Sequence, residues 1–388
     1  MRRCFSLAIK GRPSPNPFVG AVIVRNGRVV GEGFHEAAGQ RHAEAEAIRQ
    51  VKRKFGAMAP YFLSTSTLYV NLEPCDHYGK QPPCTQAILR AGIRRVVYAM
   101  PDPNPQARGG AGTLAKNGVN VRLAGAKMQA EARALNAPFI HRIRTGRAYV
   151  TLKMALSKDN QVAASGAGRQ AAALKSGRTD KPHPIYISSP ASLEMAHVMR
   201  DKCPAIMAGI GTVRADNPRL TCRMAGGHDP LRIIVDARLQ IDEKAKVLRD
   251  DRALLACGRK MDRQKAGRLK KRGFSLVILP ERGGRLDFRP LLAHLAGMGI
   301  DHVLLEGGPR LAESMLRQGL VNETVLFRSP KKMGAGKQDP EMAKAVDAIL
   351  AASRAARRQT MRSGPDRVEF ARARKEKNGC FWPAFFEK

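Results

Sequence analysis

Residues 67–92 read T-L-Y-V-N-L-E-P-C-D-H-Y-G-K-Q-P-P-C-T-Q-A-I-L-R-A-G. The β-branched and aromatic run at 67–72 predicts a strand, and the helix formers at 85–92 predict a helix ending at Gly92. Cys75 and Cys84 lie between them, each directly after a proline, with His77 and Lys80 in the loop. A strand that runs into one cysteine and a helix that leaves the other mark a strand–loop–helix unit, the building block of α/β folds. The pair admits three readings: a disulfide, two buried thiols, or half of a metal site. Seven cysteines, an odd number spread thinly over 388 residues, argue against a secreted disulfide framework. In a reducing compartment a close pair points to a metal site or a redox couple.

The same alternation runs along the chain. F-V-G-A-V-I-V (18–24) and V-V-G-E-G-F (29–34) flank the turn R-N-G-R, which predicts a hairpin. H-A-E-A-E-A-I-R-Q-V-K-R-K (42–54) puts Ala43, Ala47, Ile48 and Val51 at near-helical spacing. Residues 55–66 read as a loop, 95–100 as a strand stopped by P-D-P-N-P, 114–123 as a helix and strand, and 128–144 as helical. A second α/β pattern starts at 149–156, with strands expected at 205–209, 231–237, 253–257, 275–279, 302–306 and 324–327. Residues 167–184 read as an insertion, and after about 330 strand rhythm gives way to a basic region. The linker T-G-R (145–147) divides the chain into domains at 1–146 and 147–388. No run reaches the ~18 apolar residues of a membrane helix. The N-terminal apolar stretch is too short for a signal peptide, so a cytoplasmic location is expected.

H-A-E at 42–44 belongs with the cysteine loop. The His42 imidazole and the Cys75 and Cys84 thiolates suit zinc, and three protein ligands leave a fourth position for water, the mark of a catalytic site. Both ligand segments open predicted helices, where the local positive field favours thiolate over thiol. Glu44, in the first turn, can move the proton of an activated water. H-x-E followed by P-C-x-x-C is the signature of zinc deaminases, with the glutamate as acid and base rather than ligand. Here eight residues, not two, separate the cysteines.

With that extra length, E-P-C-D-H-Y-G-K-Q-P-P-C resembles the cysteine loop of the bifunctional deaminase/reductase family of riboflavin biosynthesis. S-P-N-P-F-V-G-A-V-I-V (14–24), G-E-G-F-H (31–35), H-A-E (42–44) and D-P-N-P (102–105) follow in that family's order, over residues 2–147. The resemblance places Met1 within the family's first helix. It implies a cytidine-deaminase-like α/β/α zinc domain in which His42, Cys75 and Cys84 hold zinc. The implied substrate is a diamino-hydroxypyrimidine bearing a ribosylamino phosphate. Zinc activates the water that attacks its amino-bearing carbon, and Glu44 is the catalytic proton carrier. Residues matching Asn16, His77, Lys80, Asp102 and Asn104 line the family's substrate pocket.

In the second half, L-K-M-A-L-S-K-D (152–159), G-I-G-T-V-R-A-D-N-P-R-L-T-C-R (209–223) and L-E-G-G-P-R-L-A (305–312) resemble the family's reductase domain. The implied fold is dihydrofolate-reductase-like α/β, and the implied reaction is NADPH-dependent reduction of the ribosyl group to ribityl. By position, Ala155, Tyr186, Thr212, Asp216, Gly308, Pro309, Arg310, Leu311 and Ala312 correspond to cofactor contacts. Lys153, Leu220, Arg223 and Glu306 correspond to substrate contacts. Glycines after a strand let backbone amides approach a phosphate. This half also departs from the pattern. The family's S-L-D-G is S-K-D-N at 157–160, and Tyr186 stands where a tryptophan is usual. Leu193 and Glu194 replace paired arginines, and an acid there repels a phosphate. A deaminase with a decayed second domain is therefore the alternative.

The net charge of +35 invites a nucleic-acid reading. Against it, the basic residues are dispersed, aromatics make up only 5%, and no RNP-type motif or repeat is present. Small anionic substrates account for the charge equally well. A nucleoside or tRNA deaminase is disfavoured by the long cysteine loop and the second domain. The resemblance also implies a homodimer or larger homo-oligomer.

Overall fold

Asn26 and Gly27 both take positive φ, 48° and 73°, as a tight two-residue hairpin requires. They join β1 (Gly20–Arg25) to β2 (Arg28–Phe34) in a computed structural model that describes residues 1–162, 187–333, 340–354, 357–372 and 379–386. β3 (Thr67–Val70) lies antiparallel on the other side of β1. β4 (Arg95–Tyr98) and β5 (Asn120–Leu123) continue in parallel, giving the order β2-β1-β3-β4-β5.

Seven helices accompany this sheet: α1 (Arg2–Ala8), α2 (Ala43–Phe55), α3 (Ala59–Ser64), α4 (Cys84–Arg90), α5 (Gly110–Lys116), α6 (Ala126–Leu135) and α7 (Ala137–Thr145). Alternation along β1 sends Val22 to one face, where it meets Cys4 and Leu7 of α1. Ala21 and Ile23 face the other way, into a core with Ala43, Ala47, Ile48 and Val51 of α2 and Ile88 of α4. The layering is thus α/β/α. The glycines of G-E-G-F-H have a steric role in it. A Cβ at Gly33 would stand 2.5 Å from the Ala43 carbonyl oxygen, and one at Gly31 2.6 Å from that of Ala47. Only glycine lets α2 lie this close to β2, and that closeness seats His42, the residue before α2.

The second sheet contains β6 (Tyr149–Leu156), β7 (Ala205–Gly209), β8 (Leu231–Val235), β9 (Ala253–Gly258) and β10 (Ser275–Leu279). After a two-residue hairpin, β11 (Glu281–Arg282) and β12 (Arg285–Leu286), come β13 (His302–Leu305), β14 (Glu323–Arg328), β15 (Arg357–Ser363) and β16 (Asp366–Arg372). Its order is β10-β9-β8-β7-β13-β6-β14-β16-β15, parallel from β10 to β14 and antiparallel beyond. β9 and β13 are buried along their whole length, which is why they read as continuous apolar runs.

Three stretches differ from the sequence expectation. The loop expected at 55–66 contains α3, whose six residues are too few for visible periodicity; it buries Ala59 and Leu63, and Phe62 stacks on Phe55 at 3.9 Å. The helix expected at 128–144 is two, separated at Asn136 ahead of Pro138. The basic region after 330 holds the helix Pro340–Arg354 and the hairpin β15–β16. The edge strand β15, R-R-Q-T-M-R-S, has the charged composition that blunts edge-to-edge pairing, and this hides it from an apolar search. The insertion expected at 167–184 lies outside the described residues.

The chain forms two compact units, Met1–Gly146 with Lys377–Lys388, and Arg147–Glu376. The C-terminal end, which the sequence reading groups with the second half, folds with the first unit. No helix among the described residues is long and apolar enough to cross a membrane.

Candidate active sites

In the first unit, β3 ends just before the cysteine loop, and Cys84 is the first residue of α4. His42 Nδ1 lies 3.2 Å from Cys84 Sγ and 3.5 Å from Cys75 Sγ. The three ligand atoms lie within 4.8 Å of one another, the one such cluster among the described residues. The Cys84 backbone N–H donates to Cys75 Sγ at 3.4 Å, as expected of a thiolate at a helix start. The Cys84 thiol's hydrogen bond, with help from His42, pulls Cys75 down to about 4. Cys84 is held well above its ordinary value by that same bond and by burial. A thiophilic divalent cation displaces the proton that such a thiol–thiolate pair shares and binds both sulfurs and the imidazole, so the donor set fits zinc.

Glu44 is 3% exposed, and burial pushes its carboxyl up to about 6. That is the range in which a carboxylate both takes and returns a proton at neutral pH. The Cys75 charge adds to the rise.

A cavity of about 310 Å³ opens onto these residues. Asn16, His77, Lys80, Asp102 and Asn104 all line it, together with His35, Phe139 and Arg142. Asn16 Nδ2 meets His35 Nε2 at 3.0 Å, and His35 Nδ1 meets the Arg41 carbonyl at 3.0 Å. Nδ1 must donate to that carbonyl, so Nε2 accepts from the Asn16 amide and the orientation of Asn16 is set. Burial lowers the His35 pKa, in keeping with this neutral tautomer. Asp102 is pushed up to about 6 by burial. Its backbone N–H donates to Glu73 Oε2 at 3.0 Å, while Glu73 Oε1 accepts from Gly109 and Ala111 at 3.2 and 3.0 Å. Glu73 thereby ties the Asp102 loop and the start of α5 to the cysteine loop. Gly110 completes the tie: a Cβ there would fall 1.9 Å from the Pro74 carbonyl oxygen.

In the second unit, Lys153, Ala155, Thr212, Asp216, Leu220, Arg223 and Glu306 line a cavity of about 580 Å³. Among the lining residues that the sequence reading missed are His197 and Arg200. Arg200 Nε and Nη2 donate to Glu306 at 3.0 and 2.6 Å. Burial would raise the Glu306 carboxyl, but the Arg200 and Lys153 charges outweigh it and hold it at about 2. Burial and the Arg200 and Arg223 charges push His197 down to about 4. Its Nδ1 accepts the Arg223 backbone N–H at 3.3 Å, so the ring is neutral with its proton on Nε2. Leu220 takes φ 52°, a strained value for a bulky residue, at the cavity wall. Lys153, Arg200, Arg219, Arg223 and Lys246 against Asp216 and Glu306 leave the lining basic, which suits phosphorylated ligands such as NADPH.

The run from Gly308 to Ala312 does not line that cavity. The Gly308 backbone N–H donates to Thr212 Oγ1 at 3.0 Å, just before the helix Pro309–Arg317. Leu311 and Ala312 belong to the core, and Arg310 pairs with Glu341 at 3.2 Å. Tyr186 lies outside the described residues.

Residues 1–100 match the cytidine and deoxycytidylate deaminase zinc-binding region, and residues 148–375 match the RibD C-terminal domain. The riboflavin biosynthesis protein RibD of Aquifex aeolicus is 38% identical over 341 residues, covering 87% of each chain. The chain belongs to the RibD family. Among solved structures, the diaminohydroxyphosphoribosylaminopyrimidine deaminase/5-amino-6-(5-phosphoribosylamino)uracil reductase of Thermotoga maritima is 28% identical with a TM-score of 0.76, covering 96% of this chain and 97% of that one. Acinetobacter baumannii RibD matches over the same shares with a TM-score of 0.73.

RibD membership brings a zinc-dependent deaminase and an NADPH-dependent reductase of riboflavin biosynthesis together on one chain. The nucleoside-deaminase, nucleic-acid-binding and decayed-domain readings give way to it. Two departures from the RibD pattern have local explanations. Asn160 stands where a glycine is usual and takes φ 56°, a left-handed conformation that asparagine tolerates. Glu194 is exposed and absent from the cavity lining, whereas Leu193, Ala196, His197 and Arg200 line it at helical spacing. The acid therefore sits on another face of its helix, and Arg200 brings a cation to the cavity.

Proposed function

We propose that the first unit deaminates a 2,5-diamino-6-ribosylamino-4(3H)-pyrimidinone 5′-phosphate, and that the second unit reduces the ribosyl group of the product to ribityl. The observation behind this reading is the convergence of the His42, Cys75 and Cys84 donor set with Glu44 in one cavity lined by Asn16, His77, Lys80, Asp102 and Asn104. His42, Cys75 and Cys84 would hold zinc, which when bound would supply Lewis-acid activation of a water. Glu44 accepts the proton this water loses and delivers it to the departing ammonia. Asn16, its Nδ2 committed to His35, keeps its carbonyl oxygen for a ring donor. Asp102 and Asn104 offer further hydrogen bonds, and Lys80 neutralises the phosphate.

In the second unit, NADPH bound in the basic cavity would supply the hydride for the opened ribosyl carbon. Arg200, Arg223 and Lys153 orient the phosphorylated substrate, and Glu306 holds Arg200 and offsets the crowding of these cations. Thr212, which lines the cavity and accepts the Gly308 N–H, would contact the cofactor. Seven free cysteines suit a cytoplasmic enzyme.

A coupled assay tests both halves. Purified protein given the diaminopyrimidine should release ammonia without NADPH, and should oxidise NADPH only after deamination. Ammonia release with no NADPH oxidation on authentic deaminated intermediate would refute the reductase half. Absence of both would refute the whole.

A further inference from the structure

The stretch 14–19 contributes Pro15, Asn16, Pro17 and Val19 to the wall of the deaminase cavity. Its backbone is held by the body of the unit. Asn136 Oδ1 accepts the Phe18 N–H at 2.7 Å, Asn71 Nδ2 donates to the Phe18 carbonyl at 2.8 Å, and Arg142 Nη2 donates to the Pro15 carbonyl at 3.3 Å. The Phe18 ring is held by something else. It lies 6.0 Å from the Phe381 ring and edge-on to Phe385 at 5.5 Å. Phe381 packs in turn on Trp382 at 5.0 Å and on Phe385 at 4.9 Å. Phe381 and Trp382 are fully buried, and Phe18 is 8% exposed. This aromatic cluster comes from the far end of the chain, beyond the entire second unit, yet it belongs to the first.

We propose that the C-terminal segment 380–386 is a brace for the deaminase pocket, with Phe381 and Phe385 as positioning residues that hold Phe18, and through it Asn16, against the substrate. Edge-on aromatic pairs fix mutual orientation as well as burying area. Without the segment the Phe18 ring would face water, and the stretch would lose the contact that fixes its ring side. Small displacements of a substrate-orienting group are costly, up to roughly 100-fold for about 1 Å. A consequence follows from chain order: the deaminase pocket is complete only after the reductase has been synthesised.

The inference rests on the assignment of Asn16 to the substrate, so its test includes that residue. Full-length, zinc-loaded Phe385→Ala, Phe385→Leu, Asn16→Ala and the Phe385→Ala/Asn16→Ala double variant are assayed for deamination, and for reduction of separately supplied intermediate. A chain ending after Gly379 is assayed beside them. Phe385→Ala should raise the deaminase KM roughly tenfold with kcat little changed. Zinc content and reductase kinetics should match the parent, and Phe385→Leu should recover most of the loss. Asn16→Ala should raise KM as well, and the double variant should add little to it, because both act through one contact. The truncated chain should show the largest rise in KM.

Unchanged deaminase KM in both Phe385→Ala and the truncated chain, with Asn16→Ala impaired, would overturn the brace alone. So would additive losses in the double variant, or loss of zinc or reductase activity in Phe385→Ala. An unimpaired Asn16→Ala would overturn the assignment of Asn16, and the brace with it.

Discussion

Glu44→Gln is expected to slow deamination severely and, in metal-free protein, to stabilise the first unit. The Glu44 carboxyl is 3% exposed, and burial pushes it from an ordinary value of 4.5 to about 6. A carboxyl whose folded pKa lies above its unfolded value weakens the fold as pH rises between the two. Below about 4.5 it is protonated in both states; above about 6 the folded state must hold a buried carboxylate. The gap between 4.5 and about 6 corresponds to about 2 kcal/mol. Glutamine keeps the shape and has no charge to bury. Trp382 is the single tryptophan of the chain and is fully buried in the first unit, so its fluorescence reports that unit's unfolding. In urea titrations of chelated protein, Glu44→Gln should gain about 2 kcal/mol at about pH 7.5 and nothing at about pH 4. With zinc restored, it should bind metal like the parent and release ammonia ~10²–10⁴-fold more slowly. A variant that is destabilised near neutral pH, gains equally at both pH values, or deaminates at close to the parental rate would refute the reasoning.

Other expectations are independent of this one. Removing zinc with a chelator should stop ammonia release while NADPH oxidation on the deaminated intermediate continues, because the ligand cluster lies within the first unit; parallel loss of both activities would contradict it. Glu306→Gln should destabilise the second unit by about 3 kcal/mol at neutral pH, from the drop of its carboxyl from 4.5 to about 2. This stabilisation is full above 4.5 and is lost as pH falls through about 2. A circular-dichroism transition unmoved by the substitution would count against it, and deamination should be spared. Lys80→Ala should raise the deaminase KM for the phosphorylated substrate by roughly 10-fold or more. It should leave stability unchanged, since Lys80 is exposed. Equal effects on a dephosphorylated substrate would rule out a phosphate contact.

Much of this protein is legible in short stretches of chain because the determinants are local. The hairpin turn Asn26–Gly27 is set by two residues that accept positive φ. The cluster His42, Cys75 and Cys84 is legible because His42 and Cys84 sit at helix starts and Cys75 in the loop between β3 and α4, all defined by their own neighbours. The apolar runs of β9 and β13 announce a parallel sheet covered on both faces. Six-residue α3 and the charged edge strand β15 escaped notice, since neither shows a periodic apolar face.

What tertiary structure alone decided concerns which side chains share a wall. Leu193 and Glu194 look alike as departures from a pair of arginines, but helix phase turns one toward the cavity and the other to solvent. Arg200 becomes the partner of Glu306 only when β13 brings position 306 beside its helix. His35 orients Asn16 across a gap that no spacing rule spans. The rings at 381–385 and Phe18 come from opposite ends of the chain, and only the fold lays them together. The physical reason is common to all four. Backbone propensity and side-chain periodicity act over a few residues, so sequence determines elements and the ligands at their ends. Pocket walls are made by packing between elements distant in the chain, and that information exists only in the folded molecule.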